Sequence, residues 1–193
     1  MIGSQYGEDE VIHKFFQGQH LGFLVDVGAA DGIDNSNSFF LIQEGWSGIL
    51  IEPDPEQFKE LQAAYIDSKV VTCLQVACGK YQSVQTLYCG RQVSTLDTTW
   101  RDRCIDAHKI NYKEVKTIVK PLRHILDELS VKKTFDFLSI DVEGLDAEVL
   151  ESLDLNKYQP RLICIEAKHC DEYVANWGYK RYAETRGNVF YAK

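Results

Sequence analysis

Five short apolar runs alternate along this chain with stretches of helical periodicity, and no other feature restricts the fold as much. Phe23-Leu24-Val25-Asp26-Val27 stops at Gly28, and Gly48-Ile49-Leu50-Ile51 stops at Glu52. Val70 to Val76 ends at Ala77-Cys78-Gly79, Phe135 to Ile140 at Asp141, and Leu162 to Ile165 at Glu166. Runs of this length bounded by glycine or acid predict buried strands. Phe39-Phe40-Leu41-Ile42 predicts a helix stopped by Gly45. Asp54-Pro55-Glu56-Gln57 offers a cap, a first-turn proline and a capping-box glutamine, opening a helix with Phe58, Leu61 and Tyr65 on one face. Leu122, Ile125, Leu126 and Leu129 repeat at helical spacing, as do Leu145, Val149, Leu150 and Leu153. The alternation predicts an α/β fold, a doubly wound and mostly parallel sheet covered on both faces. Tyr179 to Ala183 and Asn188 to Ala192 flank Glu184-Thr185-Arg186-Gly187 and predict a C-terminal antiparallel hairpin. Regularity weakens from Tyr81 to Glu114, so residues 81–114 read as an insertion within a single domain of 1–193, followed by a strand from Val115 to Val119.

Charge narrows the partners. The 193 residues carry 29 acidic and 21 basic side chains, a formal net charge of −8, which disfavours gripping a nucleic-acid backbone. No apolar run approaches the roughly 18 residues of a membrane span. The N-terminal MIGSQYGEDEVIHKFF has acids where a secretory signal has basic residues, so a cytoplasmic setting is expected. Cysteines 73, 78, 89, 104, 164 and 170 form no CxxC pair and are expected to be free thiols rather than zinc ligands.

In a doubly wound sheet the ligand sits beyond the carboxyl ends of the strands, so those ends carry the functional information. The first ends Asp26-Val27-Gly28-Ala29-Ala30-Asp31-Gly32, where small residues let a ligand approach the backbone. The second ends in Glu52, 20 residues past Gly32, where an acid can accept both hydroxyl protons of a ribose. A dinucleotide fingerprint starting at Gly28 would need glycines where Ala30 and Ile33 stand, which argues against NAD or FAD. A glycine-poor turn among acids suits an adenosine ligand without phosphates, and S-adenosylmethionine is cationic at its sulfonium and ammonium. Asp141, Glu143 and Glu166 follow at later strand ends. They either cap the helix near Leu145 or meet a ligand's positive charge, a substrate proton or a divalent cation.

Several blocks together resemble the FkbM-type methyltransferases. They are Val25 to Gly32, Ser36-Asn37-Ser38, Gly45 to Pro53 and Ile140-Asp141-Val142-Glu143-Gly144, with Ser4 to Asp9, Ser94-Thr95-Leu96 and Asn188 in support. Ser38 stands where threonine is more usual. The resemblance implies a class I (Rossmann-like) methyltransferase fold with a seven-stranded sheet, using S-adenosyl-L-methionine to methylate hydroxyl oxygens on sugars or natural products. Carried over, it implies that Asp26, Gly28, Ala29, Asp31 and Gly32 line the methionine side of the cofactor and that Asn37 holds its carboxylate. Glu52 with Pro53 would take the ribose, Ala77 and Cys78 the adenine edge, and Asp141 the sulfonium side.

An alcohol acceptor needs a base or cation to remove its proton. Asp141, Glu143 and Glu166 are the candidate bases, with His108 and His169 behind them; in a metal-assisted version Asp141 and Glu166 hold Mg²⁺. Arg101, Arg103, His108 and Lys109 form a basic island in the insertion, either a solvated face or a contact for an acidic acceptor. Tyr88, Trp100 and Tyr112 are packing residues or a stacking platform for a sugar. The alternatives are a protein or nucleic-acid acceptor, or a domain that binds S-adenosylmethionine without turnover. The last is disfavoured by the intact Asp31-Gly32, Glu52 and Asp141-Val142-Glu143.

Overall fold

A computed structural model describes residues 3–167 and 169–193. Alternation of side chains along each strand sends neighbours to opposite faces, and the result is two cores. In β1 (Phe23–Val27), Val25 and Val27 join one core while Leu24 joins the other. In β2 (Ser47–Ile51), Ile49 and Ile51 are divided from Leu50 in the same way. Helices α1 (Glu8–Phe15), α2 (Phe39–Gln43) and α3 (Pro55–Ala64) contribute to the second core. The first is closed by helices that include α5 (Leu122–Glu128) and α6 (Asp146–Ser152).

The main sheet has seven strands: β3 (Val71–Leu74), β2, β1, β7 (Thr134–Ile140), β8 (Gln159–Ile165), β10 (Val189–Ala192) and β9 (Lys180–Glu184), in that spatial order. All neighbours from β3 to β8 are parallel, and β10 enters antiparallel beside β8 with β9 outside it. The hairpin, the helices and four of the five core strands lie where the sequence predicts them. Among the described residues no helix is long and apolar enough to cross a membrane, and all six cysteines are free thiols.

One expected strand is shorter, and another is present but lies in a second sheet. The run from Val70 to Val76 is not continuous, because β3 ends at Leu74 and Ala77–Cys78 forms β4 in a second sheet. The strand expected at Val115 to Val119 is β6 (Lys113–Lys120), and it also joins that sheet, between β4 and β5 (Ser83–Cys89). The 81–114 stretch is therefore more regular than its sequence, holding β5 and the helix α4 (Thr98–His108). Its strand is hard to read because one face stays exposed, with Val84 opposite Ile118 in solvent.

The capping box of α3 also differs. Asp54 accepts hydrogen bonds from the Glu56 and Gln57 amides as expected, but the Gln57 amide group is buried without a partner. The backbone N–H that a capping-box glutamine would take, that of Asp54, donates instead to Glu52 Oε1 at 2.7 Å. A strand-end acid has replaced the helix residue.

The segment before β1 is fastened to the hairpin through Glu8, which is fully buried. Its Oε2 accepts the Tyr6 N–H at 2.7 Å, and Oε1 accepts from the Thr185 hydroxyl and, at 3.3 Å, from the Asn188 amide. Substituting Glu8→Ala leaves buried donors unpaired and is expected to lower stability by about 1–3 kcal/mol, read as a lower denaturant midpoint with unchanged slope.

Candidate functional site

The order of the main sheet reverses between β1 and β7, and the two strand ends meet there closely. Gly28 has φ +86°, and a Cβ on it would lie 1.7 Å from the Asp141 carbonyl oxygen. No other residue type fits that approach. The Asp141 N–H donates to the Val27 carbonyl, and the Gly28 and Ala29 N–H groups both donate to the Ile51 carbonyl. Ala30 then turns left-handed at φ +49°, which aims its N–H at Glu52 Oε2, 2.9 Å away. Glu52 is thus held at both oxygens by amides, one from the turn after β1 and one from the N-cap of α3. Burial is the main force on its carboxyl, pushing the pKa up to about 8 against those two hydrogen bonds.

Two pockets adjoin at this turn and share Gly28, Ala30, Gln92, Asp141 and Glu143. The first encloses about 550 Å³ of empty space, open solvent included, and its walls include Glu52, Pro53, Ala77, Cys78 and Leu87. The second reaches toward Asp26, Ala29, Asn37 and Ser139, with Gln5 at its edge. Asp26 Oδ2 accepts the Ser38 hydroxyl at 2.6 Å, a bond that threonine could equally make. Burial raises Asp26 to about 6, opposed by hydrogen bonds from Ser38 and Ser139. The Asn37 amide donates to Ser139 Oγ at 3.3 Å.

Asp31 and Gly32, expected beside the cofactor, line neither pocket. Asp31 Oδ1 accepts the Ile33 and Asp34 N–H groups and so closes its own turn. Gly32 packs under α3, where a Cβ would meet Leu61 at 2.5 Å and Tyr65 at 2.7 Å. Both residues shape the loop from behind.

The acids after β7 form one electrostatic group. Burial raises the Asp141 pKa well above the usual carboxylate range, and Glu166, Glu143, Asp146 and Asp26 add to the rise. Glu143 is raised to about 8 by burial, then by Glu166 and Asp146, with the Trp100 indole opposing. Neither Asp141 nor Glu143 caps α6. The N-cap position is Leu145, with no side-chain cap bond; Asp146, the first residue of α6, instead gathers the turn before the helix, accepting the Val142 N–H at 2.9 Å and the Gly144 N–H at 3.2 Å. One oxygen each from Asp141, Asp146 and Glu166 lie within 4.8 Å of one another, so among the described residues this trio is the cluster that could hold a cation. Glu166 stands at the end of β8, outside the lining of both pockets.

His108 and His169 are exposed and line neither pocket. In the basic island, Arg101 stacks 4.3 Å over Tyr88 and pairs with Asp102, while Arg103, His108 and Lys109 are exposed on and just after α4. Tyr112 donates its hydroxyl to the Val93 carbonyl at 3.0 Å. Trp100 differs from these two aromatics by lying against Gly144 in the acidic turn. Several lining residues escaped the sequence reading: Gln92 and Leu87 carry no motif, whereas Gln5, Ser94 and Thr95 sit in the supporting blocks without an evident role.

The raised carboxyls predict how the ligand-free protein responds to pH. A folded-state pKa above the unfolded one means that the folded chain binds more protons between the two, so stability falls as pH rises through that window. With Asp26 near 6 and Glu52 near 8, against ordinary values of 3.8 and 4.5, the thermal midpoint is expected to fall between pH 5 and about pH 8. Scanning calorimetry across that range checks it, and Glu52→Gln should flatten the upper part of the decline.

Comparison with known proteins agrees with this arrangement. A family model described as "Methyltransferase FkbM domain" matches residues 26–180, whereas a search of curated proteins finds no match. Among solved structures, an FkbM methyltransferase from Methylobacillus flagellatus KT is similar at 16% identity and a TM-score of 0.57, over 96% of this chain and 50% of that one. The chain thus spans half the length of that relative. The Escherichia coli protein yhhF is similar at 12% identity and a TM-score of 0.55, over 98% of this chain and 87% of its own. The methyltransferase domain of human METTL16 is similar at 14% identity and a TM-score of 0.52, over 95% and 65%. These likenesses establish a methyltransferase-type α/β fold. The sequence match spans both ends of the site, from Asp26 past Glu166, and on it this chain belongs to the methyltransferase FkbM domain family.

Proposed function

We propose that this chain is an S-adenosylmethionine-dependent O-methyltransferase acting on a hydroxyl group of a small molecule, with sugars the first class to try. The observation that carries the reading is the meeting of two pockets over Gly28 and Ala30 with the Asp141 and Glu143 carboxyls at their junction. The residues fit the cofactor chemically. Each Glu52 oxygen accepts a single amide, which leaves lone pairs for ribose hydroxyls. Pro53, Ala77, Cys78 and Leu87 supply apolar walls for a base, and the carboxyls of Asp26, Asp141 and Glu143 complement a cation. When bound, S-adenosylmethionine supplies a methyl group activated by its sulfonium.

The chain's own residues do the rest. The two pockets align acceptor and donor and exclude water, which is where most of the gain in a displacement lies. Glu143, held near pH 8, is well matched to take a hydroxyl proton around neutral pH, and Asp141 stands beside it. The free thiols suit a reducing, cytoplasmic setting. A net charge of −8 favours a small acceptor over nucleic acid.

Calorimetric titration with S-adenosylmethionine and S-adenosylhomocysteine is the first test, followed by methyl transfer to a panel of sugars. Binding of both is expected, weakened at least about tenfold in Glu52→Gln; no binding of either at high micromolar concentration overturns the reading. A metal-assisted version is favoured by the Asp141, Asp146 and Glu166 trio, with Asp141 and Glu166 as ligands to Mg²⁺. It predicts that EDTA abolishes transfer and Mg²⁺ restores it, and full activity in EDTA removes it.

A further inference from the structure

Thr95 lies between β5 and α4, 48 residues from the acidic turn in sequence, and is almost fully buried at 1% exposure. Its backbone pairs with that of Tyr88 in both directions, at 2.9 and 3.0 Å. That pairing fixes the side chain. The hydroxyl accepts the Asp97 N–H at 2.9 Å and donates to the backbone carbonyl of Glu143 at 2.7 Å.

The receiving residue is in an unusual state. Glu143 has φ +58° and is followed by Gly144 at φ +110°, so two consecutive residues are in the region that L side chains avoid. Glycine does this freely; glutamate needs its surroundings to hold it. Asp146 holds the flanking N–H groups of Val142 and Gly144. The carbonyl between them is held by Thr95. The turn is clamped from two sides, by α6 and by the 81–114 stretch.

We propose that Thr95 is a positioning residue for Glu143, its hydroxyl locking the left-handed turn that directs the Glu143 carboxyl to the junction of the two pockets. It acts through the backbone of Glu143, and its catalytic consequence rests on the function proposed above. Without the hydroxyl the turn relaxes toward ordinary backbone, and the carboxyl leaves the junction. The bond also makes the 81–114 stretch and the acidic turn move as one body.

Three proteins test this: wild type, Thr95→Val, which keeps the shape and loses the hydroxyl, and Thr95→Ser, which keeps the hydroxyl. Amide hydrogen exchange is read at Val142, Glu143 and Gly144, and S-adenosylhomocysteine affinity by calorimetry. Thr95→Val is expected to speed exchange at the turn by about tenfold or more and to weaken binding by about tenfold, whereas Thr95→Ser stays within about twofold of wild type in both. Should Thr95→Val fail to fold, Thr95→Ala carries the same comparison. Unchanged exchange in the hydroxyl-free variant, or a Thr95→Ser variant that behaves like it, overturns the proposal. Absence of binding in wild type overturns the cofactor reading instead, while the exchange comparison still decides the role of Thr95.

Discussion

The contact between Gly28 and the Asp141 carbonyl is the constraint from which the site follows. Two adjacent parallel strands, β1 and β7, end side by side there, with a separation that leaves no space for a Cβ. Because sheet order reverses at this point, the chain leaves β1 on one side and β7 on the other, opening a crevice between the departing loops. The turn after Gly28 then bends back far enough for the Ala30 amide to reach Glu52. Both pockets share the residues of this junction. A larger residue at 28 would push the Asp141 backbone away and open the crevice at its base.

Electrostatics is the second layer of the same design. Asp26, Glu52, Asp141 and Glu143 are drawn together by their strand ends, and burial makes their charged forms costly. Backbone amides offset part of that cost at Glu52, and hydroxyls do so at Asp26. Among the described residues no hydrogen bond of that kind lowers Asp141. A cationic ligand in this crevice would supply the missing compensation, so the strain on these carboxyls and the proposed chemistry have one origin.

The legible part of the site was the part that is local in sequence. Strand ends announce themselves by a glycine or acid after an apolar run, so Gly28, Glu52 and Asp141 are legible as strand-end residues, and the structure places them there. Asp31 and Gly32 show what that logic leaves open. They belong to the same turn, yet one closes the loop on itself and the other packs beneath α3. Composition marks a turn without saying which of its side chains face the ligand. The misread capping box has a similar cause, since Glu52 satisfies from another element the amide that Gln57 was expected to take.

By itself the sequence determined the fold class, the hairpin and which acids stand at the carboxyl ends of the strands, where the candidate site lies. Each of these depends on hydrophobic period and on residues adjacent along the chain. Tertiary structure alone decided that β4, β5 and β6 form a second sheet beside the first pocket, that Asp146 binds the amides of the acidic turn, and that Thr95 reaches Glu143. It also decided that Glu8 joins the N-terminal segment to the hairpin through Asn188, 180 residues away. The Thr95–Glu143 and Asn188–Glu8 contacts are single hydrogen bonds between distant segments. A donor or acceptor side chain fits many partners equally well, and the packing of sheets and helices selects which one comes within reach.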